Sequence, residues 1–255
     1  KVIVDRFLPK ATLLSSWYML KDSDEKTKKN EIYTAKKEWR WFYYDHDSSA
    51  SDTPSSEETT LTMANFDAPT RKWGSDGNNG ITANNVSESD GIIDIKIEAA
   101  MRRGGALESK SFYGPGSFSM DAKFPKTTGI CYSIWTFYYA NNGDINHEID
   151  IEVYDNNKVV YSSYVSETIG EHTYSDIDSK INDGNYHNYR IDWHHGSEGD
   201  YTEYYIDNNL MCKITKNIPT HDMKLWIGAW CPTWAGETMT GTYHMLVKNI
   251  KYKKF

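Results

Sequence analysis

The stretch His147-Glu148-Ile149-Asp150-Ile151-Glu152-Val153-Tyr154 decides how the chain is read. Side chains two apart on an extended strand share a face. Ile149, Ile151 and Val153 therefore enter a core, while Glu148, Asp150 and Glu152 line up on the opposite face. Like charges stacked along one strand face repel and raise one another's pKa. Alternating Lys and Glu would serve solubility better, so the arrangement asks for a chemical reason. The bland alternatives are a solvated acidic strand and a calcium site, although hard-cation sites usually draw their oxygens from loops.

The same period of two recurs on either side. Ile93, Ile95 and Ile97 alternate with Asp94, Lys96 and Glu98 after the turn signal Asp90-Gly91. Phe118, Met120 and Ala122 alternate with Ser119, Asp121 and Lys123 after Gly114-Pro115-Gly116. Further strands are expected over residues 130–139, 148–154, 159–165, 187–193, 201–206, 223–230 and 242–251. Asn142-Gly143, Asp183-Gly184 and Asp207-Asn208-Asn209 separate them as turns. Many short strands with regular turns predict an antiparallel sandwich or barrel. Only residues 31–41 hint at a helix, and there is no internal repeat. Residues 45–60 are polar, contain Pro54 and read as a loop. Before them Trp39, Trp41, Phe42, Tyr43 and Tyr44 read either as an edge strand or as the ring-lined lip of a cleft.

A chain of 255 residues fits a single all-β domain. Its net charge is −8 without a Lys/Arg cluster, which argues against a nucleic-acid partner. Mean hydropathy is −0.70, and no apolar run approaches the ~18–20 residues of a membrane span. There are 19 Tyr and 9 Trp against 8 Phe. Rings with a polar handle suit a neutral, hydroxyl-rich ligand, though Tyr-rich strands also simply build sheets. Cys131, Cys212 and Cys231 are odd in number and lack CxxC spacing, which disfavours a zinc site or a disulfide framework. They read as small buried hydrophobes. His172, His187, His194, His195 and His221 have no metal spacing and read as surface or strand residues. The chain starts at Lys1, which fits a removed signal peptide or a trimmed terminus. A secreted or cell-surface monomer is the expectation.

The chemistry that uses two carboxyl groups on one face is glycoside hydrolysis. A retaining enzyme needs them ~5–5.5 Å apart, one as nucleophile and one as general acid/base. Residues i and i+4 of a strand lie ~13 Å apart at Cα, so the two Glu side chains must lean toward each other over Asp150. By hydrogen-bonding one of them, Asp150 can help keep their acidities apart.

The segment Glu148-Ile-Asp-Ile-Glu152 resembles the ExDxE signature of glycoside hydrolase family 16. Further landmarks follow in the family's order. They include Ala83-Asn84-Asn85-Val86 with Ser89-Asp90-Gly91, and Ala106-Leu107-Glu108-Ser109-Lys110-Ser111. Tyr113-Gly114, Thr128-Gly129-Ile130, Tyr186-His187-Asn188-Tyr189, Asp192-Trp193 and Tyr205-Ile206-Asp207 complete them. The resemblance covers roughly residues 62–255, and residues 1–61 read as an N-terminal extension of the same catalytic domain. It implies an all-β, concanavalin-like jelly-roll sandwich of two antiparallel sheets. It also implies endo-acting hydrolysis with retention, on an oligosaccharide or polysaccharide. Glu148 matches the nucleophile, Glu152 the general acid/base and Asp150 the assisting aspartate. Glu108 matches a carboxylate that binds sugar hydroxyls, and Trp230 and Trp234 match rings near the cleft, with Trp135 also facing it. Core packing is the alternative for each Trp.

Several departures bear on the sugar. Lys110 stands where mixed-linkage glucanases carry Arg, Ser162 where they carry a sugar-binding Asn, and Asn146-His147 where they carry Trp-Asp. These changes together point to an endo-β-galactosidase on host, mucin-type glycans, with a β-glucanase as the alternative. The rival from another class is a non-catalytic lectin. No cofactor or catalytic metal is implied, and a structural calcium lacks one family ligand, because Lys248 occupies the position of an aspartate.

Overall fold

The alternating segments pair as two sheets. The computed structural model describes residues 57–72, 80–138, 146–154, 158–166, 168–176, 181, 183–237 and 240–255. The helix hint at 31–41, the rings at 39–44 and most of the loop expected over 45–60 lie outside these residues. All of the described residues belong to one compact unit, Ser56–Phe255.

The first strands are β1 (Thr59–Leu61), β2 (Phe66–Asp67), β3 (Arg71–Lys72), β4 (Gly80–Ile81), β5 (Val86–Ser89), β6 (Ile92–Glu98), β7 (Arg103–Tyr113) and β8 (Gly116–Lys123). Then come β9 (Cys131–Tyr138), β10 (His147–Tyr154), β11 (Lys158–Tyr164), β12 (Gly170–Asp176), β13 (His187–His194), β14 (Tyr201–Ile206), β15 (Asn209–Ile214), β16 (Met223–Trp230) and β17 (Thr242–Lys254). One sheet runs β12-β11-β10-β9-β16-β7-β2. The other runs β15-β14-β13-β8-β17-β6-β5, with β1 beside the C-terminal part of β17. Strand β7 joins them, because its first residues pair with β6 and, in parallel, with β4. That parallel pair departs from the antiparallel pattern expected throughout.

The inner faces supply the core, as the alternation requires. Ile93, Ile95, Ile97, Phe118, Met120, Tyr189, Ile191, Trp193, Tyr204, Met245 and Val247 come from one sheet. Tyr132, Ile134, Ile149, Ile151, Val153, Val159, Tyr161, Leu225 and Ile227 meet them from the other. Full burial of such a side chain contributes about 1.5–3 kcal/mol, so the core face of β10 offsets repulsion on its other face. Two polar groups inside tie the layers together: Trp193 Nε1 donates to the Pro219 carbonyl at 3.1 Å. The Tyr204 hydroxyl crosses the sandwich to the Ser162 carbonyl at 2.6 Å, bracing β11 beside the ladder.

Two of the expected turns are two-residue hairpins. Asp90 and Gly91 (φ 53° and 73°) join β5 to β6, and Asp207 and Asn208 (φ 51° and 63°) join β14 to β15. Positive φ at both central residues is the twist-matched solution for such hairpins. Thr59 and Thr60 are paired with β17 rather than looped, so the expected loop is shorter than 45–60. Strands β7, β12 and β15 were not expected from periodicity. β15 exposes both Leu210 and Met211, β12 is polar, and β7 begins on Gly104-Gly105, so none of them alternates cleanly.

Candidate active site

Strand β10 is paired on both sides without a bulge, so its two-residue repeat holds from Glu148 to Val153. On the outer face Asp150 lies between Trp135 of β9 and Ser162 of β11, Glu152 between Ser133 and Val160, and Glu148 between Phe137 and Tyr164. All three carboxyls are removed from bulk water. Burial raises Glu148 most, followed by the charge of Glu152. Asp150, only 4% exposed, is lifted well above the ordinary range by burial and then by both neighbouring glutamates. Glu152 is raised by burial. Three groups shifted the same way share protons as one system.

Hydrogen bonds differentiate what burial does not. Burial raises both Glu148 and Asp150, and the hydrogen bond between them then lowers Glu148 while adding to the rise of Asp150. Glu152 accepts instead from the Cys131 thiol, with Sγ 3.5 Å from Oε1. The arrangement can hold one ionised carboxylate beside a second carboxyl that exchanges a proton near neutrality. This is the division that paired-carboxylate chemistry requires.

The family model described as glycosyl hydrolases family 16 matches residues 42–248. The chain belongs to that family. A Beta-glucanase of Paenibacillus polymyxa is 29% identical over 164 residues, which are 60% of this chain and 67% of the relative. A Beta-glucanase of Acetivibrio thermocellus is 29% identical over 140 residues, 52% of this chain and 40% of that protein. Among solved structures, a prokaryotic β-1,3-1,4-glucanase (lichenase) derived from a mouse hindgut metagenome superposes with a TM-score of 0.66 at 20% identity. The match covers 78% of this chain and 99% of that one, which establishes the jelly-roll fold. The family match begins at residue 42, upstream of the residue 62 at which the resemblance starts, and so takes in Phe42, Tyr43 and Tyr44.

In this family 16 endo-glycosidase Glu108, Trp135, Ser162 and Trp230 fall on the same sheet face, while Trp234 lies on the 3-10 turn Thr233–Ala235 that follows β16. Glu108 of β7 faces Trp226 of β16 and binds the Lys224 ammonium at 2.9 Å. Strand β16 keeps an unbroken register with β9 there, and the irregularity lies in β7, where Ser109, Lys110 and Ser111 stand against Leu225 alone; the Ser109 hydroxyl accepts the Leu225 N–H at 2.9 Å. Lys224 faces the site by sharing the parity of Trp226 and Trp230. Lys110 sits farther out and donates to the Ala64 carbonyl at 2.9 Å. Ser162 is buried opposite Asp150, with its hydroxyl 3.2 Å from His172 Nδ1. Trp234 is 49% exposed and meets Tyr154 and Trp230 edge-on, at 5.1 and 6.0 Å between ring centroids.

Trp135 faces the site but is 8% exposed and stacks on Trp226 at 5.5 Å. Arg71 lies 4.2 Å above the Trp226 ring. With Ile81 and Ala106 the two indoles form a second, smaller apolar cluster outside the main core. Three neighbours were not foreseen. Trp226 is signalled only by falling on the same parity as Lys224 and Trp230. Cys131, read as an inert hydrophobe, donates to the ladder. His172, read as a bystander, lies opposite Ser162 and also contacts the Tyr164 hydroxyl at 2.9 Å.

The row level with Glu152 is small. Ser133, Gly228 and Ala106 follow one another across β9, β16 and β7. A Cβ added at Gly228 would come within 2.5 Å of the Ala106 Cβ, so glycine is required there for the strands to approach.

Proposed function

We propose that this enzyme is a retaining endo-β-glycosidase working by double displacement on a glycan backbone. Glu148 is the nucleophile: in its ionised form, which the hydrogen bond with Asp150 favours, it attacks the anomeric carbon and forms a glycosyl ester. Glu152 protonates the departing glycosidic oxygen, then takes a proton from water as that water hydrolyses the ester. Asp150 holds its proton on Glu148 in the free enzyme and limits the return of charge repulsion between the glutamates. The observation that carries this reading is the placement of Glu148 and Glu152 on one face of β10, on either side of Asp150, with a separate thiol donor into Glu152.

Trp230 and Trp234 fit sugar-stacking platforms, and Glu108 with Lys224 fits a hydroxyl-binding pair on the same face. The curated relatives, Beta-glucanases, favour a β-glucan as the polymer. The second reading is a β-galactoside backbone such as that of mucin-type glycans. Its support is the joint change of Lys110, Ser162 and Asn146-His147 from the glucanase pattern. Mass spectrometry of products from a panel of β-glucans, β-galactans and mucin-type glycans separates them. Glucose-terminated oligosaccharides carry the first reading, galactose-terminated ones the second, and no product from any of them overturns both.

A further inference from the structure

Cys131 opens strand β9, with Trp230 of β16 directly opposite and Glu152 of β10 one position along the diagonal. Its parity puts it on the site face with Ser133 and Trp135, yet it has no accessible surface. Its sulfur receives a hydrogen bond from the Trp230 side chain, whose donor is the indole N–H. On its other side the thiol proton points at Glu152 Oε1 across 3.5 Å. Burial and the adjacent carboxylate hold the group as a thiol, so it is a donor and not a nucleophile. Cys212 packs in the main core, and Cys231 is held in it as well.

We propose that Cys131 is a positioning residue for the acid/base carboxyl, with Trp230, Cys131 and Glu152 forming a donor chain that fixes which Glu152 oxygen faces the substrate. This inference rests on the assignment of Glu152 above. Sulfur makes a weak donor, and weakness is useful here. Glu152 must be protonated when the leaving group departs and ionised when water attacks, so its partner must stabilise the carboxylate only slightly. A strong cationic partner would lock Glu152 as the carboxylate and remove the acid. The chain also couples a sugar-stacking ring to the acid/base, because movement of the Trp230 indole moves the acceptor sulfur with it.

The sign follows from the direction of donation. The thiol stabilises ionised Glu152, so its loss raises the pKa that limits activity on the basic side. Cys131→Val keeps the volume close and removes the donor, while Cys131→Ser keeps a hydroxyl donor. In Cys131→Val the basic limb of kcat/KM is expected to move up by about 0.5 pH unit, the free-energy scale of one weak neutral hydrogen bond. The accompanying fall in kcat is about 10-fold on a poor leaving group, a fraction of what a general acid supplies. On an aryl β-glycoside carrying 2,4-dinitrophenolate, which departs without protonation, formation of the glycosyl ester should be nearly unchanged. Cys131→Ser restores the limb. Carbon-13 NMR titration of the Glu152 carboxyl reads the same shift without substrate. An unmoved Glu152 titration and an unmoved limb in an active, folded Cys131→Val protein overturn the inference alone. Equal losses on good and poor leaving groups do so too, since they indicate a packing defect. A wild-type protein that cleaves no β-glycoside overturns the functional assignment and with it this role.

Discussion

The two outer faces of the sandwich treat acidic residues in opposite ways. On the β13–β14–β17 side almost every carboxylate has a partner. Asp192 meets Arg190 and the Ser117 hydroxyl, Glu203 meets Lys213 and the Tyr205 hydroxyl, and Asp121 takes bonds from Asn188 and Asn249. Asp94 lies 2.7 Å from His244. Burial pushes Glu203 up, but the Lys213 and Tyr205 bonds outweigh it and hold its pKa below the ordinary value. On the β10 face the carboxyls meet one another, a thiol and indoles, and all three are raised. The contrast teaches that the acidic balance of the chain is two populations: one solvated and neutralised in place, the other concentrated, desolvated and kept partly protonated. Unlike the first population, the second destabilises the fold, and such cost at one spot is the common mark of a functional site.

The largest expected effect tests the ladder as chemistry. Glu148→Gln should lower the rate of reducing-end release on the order of 10⁴–10⁶-fold, as expected when a nucleophile is lost, while glycan binding by calorimetry persists. Residual activity near wild type would return the ladder to a structural role. Asp150→Asn keeps a donor to Glu148 but removes the exchangeable proton. A loss of roughly 10²-fold in kcat is expected, with KM little changed.

Stability should separate the two populations next. A carboxyl raised in the folded state binds more protons there than in the unfolded chain. Its penalty is absent below the ordinary carboxylate range and grows as pH rises through it. It is complete above the raised values, about 7 for Glu152 and about 8 for Glu148. Glu148→Gln should therefore be the more stable protein at pH 8 by about 1–3 kcal/mol, and little different from wild type at pH 4. Denaturant unfolding at both pH values measures this, and a variant less stable at pH 8 would contradict the raised pKa of Glu148. The smallest effect belongs to the paired face. Lys213→Ala should cost less than about 1 kcal/mol and leave kcat/KM unchanged, because exposed ion pairs contribute little. A loss comparable to that of Asp150→Asn would erase the distinction between the faces.

Much of this was legible in the chain, and the parts that were not have two causes. Ile149, Ile151 and Val153 against Glu148, Asp150 and Glu152 announce both the core and the ladder, because a strand sorts residues by parity alone. The triplets Ile93-Ile95-Ile97 and Phe118-Met120-Ala122 do the same for the other sheet. β12 and β15 escaped because their pairing is set by neighbours rather than by an apolar face of their own. Cys131 and Trp226 escaped for a different reason. Each acts through a residue on another strand, Glu152 and Trp135 respectively, and no local spacing reports which strands become neighbours. The polarity of the Asp150–Glu148 bond is likewise a property of burial, invisible in a string of acids.

The unbroken pairing of β10 has a consequence for how this site can vary. Each core side chain on the strand is flanked by site carboxyls, so one alternation indexes the hydrophobic interior and the reacting groups together. A single-residue insertion or deletion within Glu148–Val153 would turn the isoleucines outward and bury all three acids in the same event. Neighbouring strands can therefore drift by substitution to suit another sugar, whereas this one is fixed in length: fold and chemistry are lost together or kept together.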